Sequence, residues 1–170
     1  MIITEDYKAL NKQLHESNPH YGTSGHIWRE FVREMSDWGR LPILDFGAGK
    51  CTLAKSLGPA YKVTNFDPCV PGLDAAPEPH DIVVCGDVME HVEPDLVMNV
   101  LREVRRVTKR KALFVISLKP AQKVLADGRN AHLSLYPQVT WEMFLTDAGF
   151  KIESQSDANA DNFTSWYVCI

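Results

Sequence analysis

Apolar and polar residues alternate in blocks along the chain, and the period of each block predicts an element. Residues 1–22 are polar with scattered aromatics and carry no strong period. After Ser24, a residue type that caps helices, Ile27, Trp28, Phe31, Val32 and Met35 recur at i, i+1, i+4, i+5 and i+8; this predicts a helix over about 25–38, stopped by Gly39. Leu41 to Asp45 is a short apolar run of the kind buried in a parallel sheet, and it leads straight into Phe46-Gly47-Ala48-Gly49. A short helix follows over about 51–57 and ends at Gly58, and residues 61–66 form a second strand closing at Asp67. Pro68, Pro71, Pro77 and Pro79 break the next stretch, and residues 81–85 are again a buried strand. Pro94 suits a first helical turn, where its missing N–H has no partner to lose. Leu96, Val97, Val100, Leu101, Val104 and Val107 then give a helix over about 94–108 its apolar stripe. Residues 112–118 read as a strand, 119–138 as a long loop, and 140–148 as a short helix capped by Thr140 and ended by Gly149; 150–154 and 163–169 read as the last two strands.

Strands alternating with helices predict a doubly wound α/β fold on a mostly parallel sheet, with helices on both faces. The two consecutive strands at the end predict that the last one turns back antiparallel. At 170 residues the chain fits one domain spanning 1–170, with 1–38 an N-terminal lid or helix and 41–170 the core. The formal net charge of −4 supplies no global basic field for nucleic acid, and the basic run Leu101–Lys111 reads as a solvated helix face. Cys51, Cys69, Cys85 and Cys169 form no CxxC pair, as expected of reduced thiols. No apolar run approaches the length of a membrane span, and Met1 to Tyr7 lacks the character of a signal peptide, so a cytoplasmic location is expected.

The sharpest local signal is Asp45-Phe46-Gly47-Ala48-Gly49 at the end of the first strand. Glycines let the backbone turn sharply and let a ligand approach it closely. Such a turn lies at the carboxyl edge of a parallel sheet, where open α/β folds bind ligands. Asp67 ends the next strand 20 residues after Gly47, the usual place for a carboxylate that accepts ribose hydroxyls. A dinucleotide fold shares this layout, but its third glycine is Thr52 here, and Asp45 suits an ammonium better than a pyrophosphate.

With Val83-Val84-Cys85-Gly86-Asp87-Val88-Met89-Glu90-His91-Val92 and the late Trp141–Phe150, the chain resembles the class I S-adenosylmethionine (SAM)-dependent methyltransferases over about 41–155. The resemblance implies a Rossmann-like methyltransferase fold with a seven-stranded sheet, or six-stranded if one is lost, and its last strand antiparallel. It implies SAM as cofactor. Asp45, Gly47, Ala48 and Gly49 would then line the methionine part, Asp67 with Pro68 the ribose, and Cys85, Gly86 and Asp87 would pass beside the reacting methyl. The chain departs from the family where only 13 residues separate Asp67 from Asp81, a stretch in which most members fit a helix and a third strand. Either Leu73-Asp74 supplies a shortened edge or the adenine pocket is more open.

Methyl transfer from a sulfonium needs an acceptor held in line and water kept out, with a base where oxygen or nitrogen must lose a proton. Candidates should lie on loops after strands. The 119–138 loop carries Arg129, able to clamp a carboxylate or phosphate, and His132, able to act as base or ligand; His91 is the third catalytic candidate. No metal is assigned. Were one held, Asp87, Glu90, His91 and His132 would be its ligands, a pattern similar to that of metal-dependent small-RNA 2′-O-methyltransferases and ubiquinone-pathway O-methyltransferases. Tyr7, His15, His20 and Tyr21 would come from the N-terminal arm acting as a lid. The Asn/Asp-Pro-Pro-Tyr/Phe loop of amino-group DNA methyltransferases does not follow Cys85, and the only Pro-Cys is Pro68-Cys69 after the second strand. The expected activity is methylation of oxygen or nitrogen on a small molecule, by a monomer or homodimer. The rivals are a metal-dependent RNA 2′-O-methyltransferase, an NAD-dependent oxidoreductase and a non-catalytic SAM-binding protein.

Overall fold

A computed structural model of the chain describes residues 1–156 and 164–170. Among these, strands β1 (Ile43–Phe46), β2 (Val63–Phe66), β3 (His80–Gly86), β4 (Thr108–Ser117), β5 (Ile152–Gln155) and β6 (Thr164–Cys169) form one sheet in the order β2-β1-β3-β4-β6-β5. The first four are parallel, and β6 inserts antiparallel between β4 and β5. This is the expected Rossmann-like, doubly wound α/β sheet, with six strands among the described residues. Residue 163, placed at the start of the last strand by the sequence, lies outside the described residues.

The strand missing from the seven-stranded pattern belongs to residues 68–79. Their prolines allow only turns: Val70 N–H donates to Asp67 O, Leu73 N–H to Val70 O, and Asp67 N–H to Leu73 O. Leu73-Asp74 therefore closes a turn and adds no sheet edge, which leaves β2 as the edge strand.

The helices are α1 (Glu5–Ser17), α2 (Arg29–Met35), α3 (Thr52–Leu57), α4 (Val97–Val107) and α5 (Gln138–Asp147). α4 is amphipathic, and Val97, Val100, Leu101, Val104 and Val107 are all buried. Together with α5 and Met89 they cover one face of the sheet, against Leu44, Phe46, Val83, Cys85, Phe114 and Ile116. The other face, Ile43, Ile82, Val84, Leu113 and Val115, packs on Val32, Leu53 and Leu57. Strands buried on both faces explain the unbroken apolar runs at 41–44 and 82–85. The basic run 101–111 is not one helix face: Arg106 lies on α4 and pairs with Glu103, whereas β4 begins at Thr108, so Arg110 and Lys111 sit on a strand and pair with Asp81 and Glu153.

Three further local expectations differ from the structure. The helix over 25–38 is a 3₁₀ turn (Ser24–Trp28) followed by the short α2, and Asp37 and Trp38 adopt left-handed φ before Gly39. Thr140 lies inside α5, which begins after Pro137 without a side-chain cap. Residues 1–22, without a strong period in the sequence, contain α1. Thr4 Oγ1 accepts the Tyr7 N–H at 3.2 Å, and Glu5 and Asp6 complement the helix dipole in its first turn. The inward face of α1 is Tyr7, Asn11 and Leu14, and the buried asparagine hides the stripe from a hydrophobicity count.

Candidate active site

Strand order reverses between β1 and β3, so their carboxyl ends open a crevice at the topological switch point. Gly47 turns the chain there at φ +83°, and a Cβ on it would lie 2.3 Å from Val88 Cγ2, on the segment leaving β3. Gly49, at φ +50°, backs against Gly22 so closely that a Cβ would meet Gly22 O at 2.7 Å. Lys50 N–H donates to that same carbonyl at 2.9 Å, and Lys50 Nζ donates to the carbonyls of His15 and Asn18 at the end of α1. The N-terminal arm is thereby seated on the glycine turn.

Between arm and sheet lies a cavity of about 470 Å³, within the size range of small-molecule sites. Its floor includes Gly47, Gly49, Asp67, Pro68 and Asp87. The Asp67 carboxylate is fixed by two backbone donors, Gly49 N–H to Oδ2 and Cys69 N–H to Oδ1, each 2.9 Å. Each oxygen keeps accepting capacity for one further donor. Asp45 sits behind the turn, 6% exposed, without a hydrogen-bond or ion-pair partner among the described residues, and is not among the residues that line the cavity. Burial, reinforced by the charge of Asp67, pushes its carboxyl up to about 7.

The opposite wall is built from side chains. Asn11 Nδ2 donates to the hydroxyls of Tyr7 (3.1 Å) and Tyr21 (3.2 Å). The rings of His15, Tyr21, His91 and His132 follow one another edge to face, with centroids 4.6, 5.5 and 4.7 Å apart. His91 Nδ1 lies 2.7 Å from Ala131 O, and His132 Nδ1 lies 2.6 Å from Lys119 O. A carbonyl only accepts, so both Nδ1 atoms carry the proton and the lone pairs remain on Nε2. Burial, aided by His132, pushes His91 down to about 3, and burial also lowers His132. Glu90, fully buried, accepts Ser117 N–H on Oε1 at 3.0 Å, while Oε2 has no partner. Burial, and then Asp87, pushes its carboxyl up to about 8.

Of the residues expected from the sequence, Gly47, Gly49, Asp67, Pro68, Asp87, Glu90, His91 and His132 line the cavity, as do Tyr7, His15, His20 and Tyr21 from the arm. Ala48 is buried under the turn, and Gly86 is pressed against Trp28, whose Nε1 would lie 2.7 Å from a Cβ. Cys85 points into the core beneath α4, its thiol raised by burial. Arg129 is not brought to the cavity: it pairs with Asp127 at 2.7 Å on the exposed tip of its loop, where a hairpin-like bridge joins Val124 to Asn130. Asn11, Glu93 and Lys123, which no sequence motif marks, also line the cavity. Glu93 grips Thr4 through its N–H (2.9 Å) and hydroxyl (2.7 Å). Glu93 carries no local mark because its partner Thr4 lies 89 positions away, and Asn11 is a polar residue on an otherwise apolar inward face.

A family model for a methyltransferase domain matches residues 20–155. The chain belongs to that methyltransferase domain family, and its fold is that of the class I SAM-dependent enzymes. Among solved structures, it is similar to 1,6-didemethyltoxoflavin-N1-methyltransferase from Burkholderia thailandensis, crystallised with 1,6-didemethyltoxoflavin and S-adenosylhomocysteine (SAH). That match has a TM-score of 0.68 at 16% identity, covering 99% of this chain and 89% of that one. It is also similar to magnesium protoporphyrin IX methyltransferase from Synechocystis PCC 6803 with bound SAH, at a TM-score of 0.67 and 14% identity, covering 96% and 99%. A search of curated proteins finds no match to the sequence. No helix among the described residues is long and apolar enough to cross a membrane.

Proposed function

We propose that the protein transfers the methyl group of SAM to an oxygen or nitrogen of a small-molecule acceptor bound under the N-terminal arm. One observation carries the reading: a buried, unpartnered Asp45 and a backbone-anchored Asp67 flank the glycine turn at the switch point. An ammonium satisfies Asp45 and a ribose diol satisfies Asp67, whereas a pyrophosphate would face two carboxylates. In this reading Gly47 and Gly49 admit the methionine part without a Cβ in the way, and Asp87 and Val88 border the reacting methyl. The acceptor occupies the arm side, where Tyr21, His91 and His132 exclude water and hold it in line. The solved neighbours named above act on small molecules, in keeping with a cavity of this size. Calorimetry with SAH and with NADH tests the proposal. SAH is expected to bind at one site per chain and NADH to give no heat; binding of NADH with silence toward SAH overturns it.

A further inference from the structure

Glu90, His91 and His132 come from the turn after β3 and from the loop after β4, and meet on the cavity wall. One carboxylate oxygen and one ring nitrogen of each histidine lie within 4.8 Å of one another. Three features set this trio apart from a chance cluster. Both imidazoles donate their Nδ1 protons to backbone carbonyls, Ala131 O and Lys119 O, which fixes the tautomer and orientation that present Nε2. Glu90 is fully buried with Oε2 lacking any partner, and an orphaned buried oxygen is costly unless something satisfies it. All three residues line the cavity, so a group held by them would face whatever binds there. Asp87 is not part of the trio, although it also lines the cavity.

From this geometry we propose that Glu90, His91 and His132 bind one first-row divalent metal ion of the zinc, iron or cobalt type and leave positions open toward the cavity. Two neutral imidazoles and one carboxylate are a ligand set for those ions, whereas magnesium and calcium take oxygen. Three protein ligands leave room for a substrate oxygen. The inference rests on the methyltransferase reading and narrows it: the acceptor atom is a hydroxyl oxygen. Coordinated by the metal, the hydroxyl loses its proton to solvent. An oxygen lone pair then forms the O–CH3 bond while the CH3–S bond breaks; its electrons remain on sulfur, and SAH leaves neutral at that atom.

The test uses the untagged full chain, stripped with a chelator, dialysed, and titrated with cobalt(II) chloride under visible absorption and calorimetry. One equivalent is expected to bind with a visible absorption band, and magnesium chloride is expected to give no heat. Glu90→Gln keeps an oxygen for the Ser117 N–H, and His132→Gln removes one imidazole; each is expected to weaken cobalt binding about tenfold or more. SAH affinity, measured on the same samples, is expected to stay at the wild-type value and reports that the variants fold. No cobalt band, or equal cobalt binding by wild type and both variants, overturns the proposal. If SAH binds and cobalt does not, the metal site falls and the methyltransferase reading stands. If cobalt binds in a variant-sensitive way and SAH does not, the ligand set stands and the cofactor reading falls.

Discussion

The two sides of the cavity are made of different material. The floor is backbone: Gly47 and Gly49 in left-handed conformations, with Asp67 tied down by two N–H groups. The opposite wall is side chain: Tyr7, Asn11, Tyr21, His91 and His132, linked ring to ring and hydroxyl to amide. A backbone-built surface tolerates almost no change of residue, because each position is defined by φ and by the absence of a Cβ. A wall built from side chains can be altered one group at a time. The cofactor shared by a whole class of enzymes calls for the first kind of surface, and an acceptor particular to one enzyme calls for the second.

The largest effect should therefore come from the floor. Gly47→Ala places a Cβ 2.3 Å from Val88 Cγ2 at φ +83°, where an L-residue is already strained. Left-handed strain of about 1–2 kcal/mol and overpacking of about 1–3 kcal/mol predict a loss of about 2–5 kcal/mol in urea unfolding. SAH binding should fall below detection in calorimetry, because relief of the clash moves the turn itself. A variant that kept both stability and SAH affinity would show that the floor is less constrained than the wall.

The next effect is electrostatic and comes from just behind the floor. The Asp45 carboxyl, raised to about 7 in the folded chain, must ionise to meet a ligand ammonium. SAH affinity should then rise with pH by up to about tenfold per unit below about pH 7 and level off above, as isothermal titrations at each pH would record. The sign for folding is opposite. Below the value of an unfolded aspartate both states are protonated. Between that value and about 7 the folded chain holds the extra proton, so the unliganded protein loses stability as pH rises. Asp45→Asn should flatten both curves; an unchanged pH profile in that variant would assign the titration elsewhere.

A smaller effect is expected from the wall. Asn11→Leu removes the amide that bridges Tyr7 and Tyr21 and leaves two buried hydroxyls without their donor. The cost should be about 1–3 kcal/mol in chemical unfolding, with SAH affinity changed less than about tenfold. Loss of SAH binding in this variant would make the arm part of the cofactor site and erase the division between the two sides.

The same division explains what was legible in the sequence. The floor and the carboxylate behind it announce themselves locally: Asp45, Gly47 and Gly49 lie at the end of the apolar strand β1, and Asp67 closes β2, an edge strand of mixed polarity. Glu90 and His91 were legible as neighbours of the segment after β3. Much of the wall depends on contacts between residues distant in the chain, such as Tyr21 with His91 and Thr4 with Glu93, which no local period encodes. α1 shows no apolar period for the related reason that its inward face carries Asn11, a polar residue buried against the tyrosine hydroxyls of Tyr7 and Tyr21. The lost strand was legible as a shortage of residues between Asp67 and Asp81, though not as the particular turn that Leu73 O closes.

Arg129 provides the smallest effect and the cleanest contrast within one loop. It and His132 are three residues apart, and by sequence both were candidates to meet a substrate. The loop folds back on itself: Asn130 Oδ1 accepts the N–H groups of Ala121 and His132, and Leu125 N–H donates to Arg129 O. That turn sends His132 to the cavity and leaves Arg129 on the outside, where it forms an exposed pair with Asp127. Exposed pairs of this kind contribute little to stability, because water screens them and two long side chains must be ordered. Arg129→Ala should therefore leave the melting temperature and the SAH affinity at their wild-type values. If the arginine swung inward on acceptor binding, the variant would raise the acceptor KM while SAH affinity stayed fixed, so steady-state kinetics with a turned-over acceptor distinguish an arginine that stays outside from one that closes over the substrate.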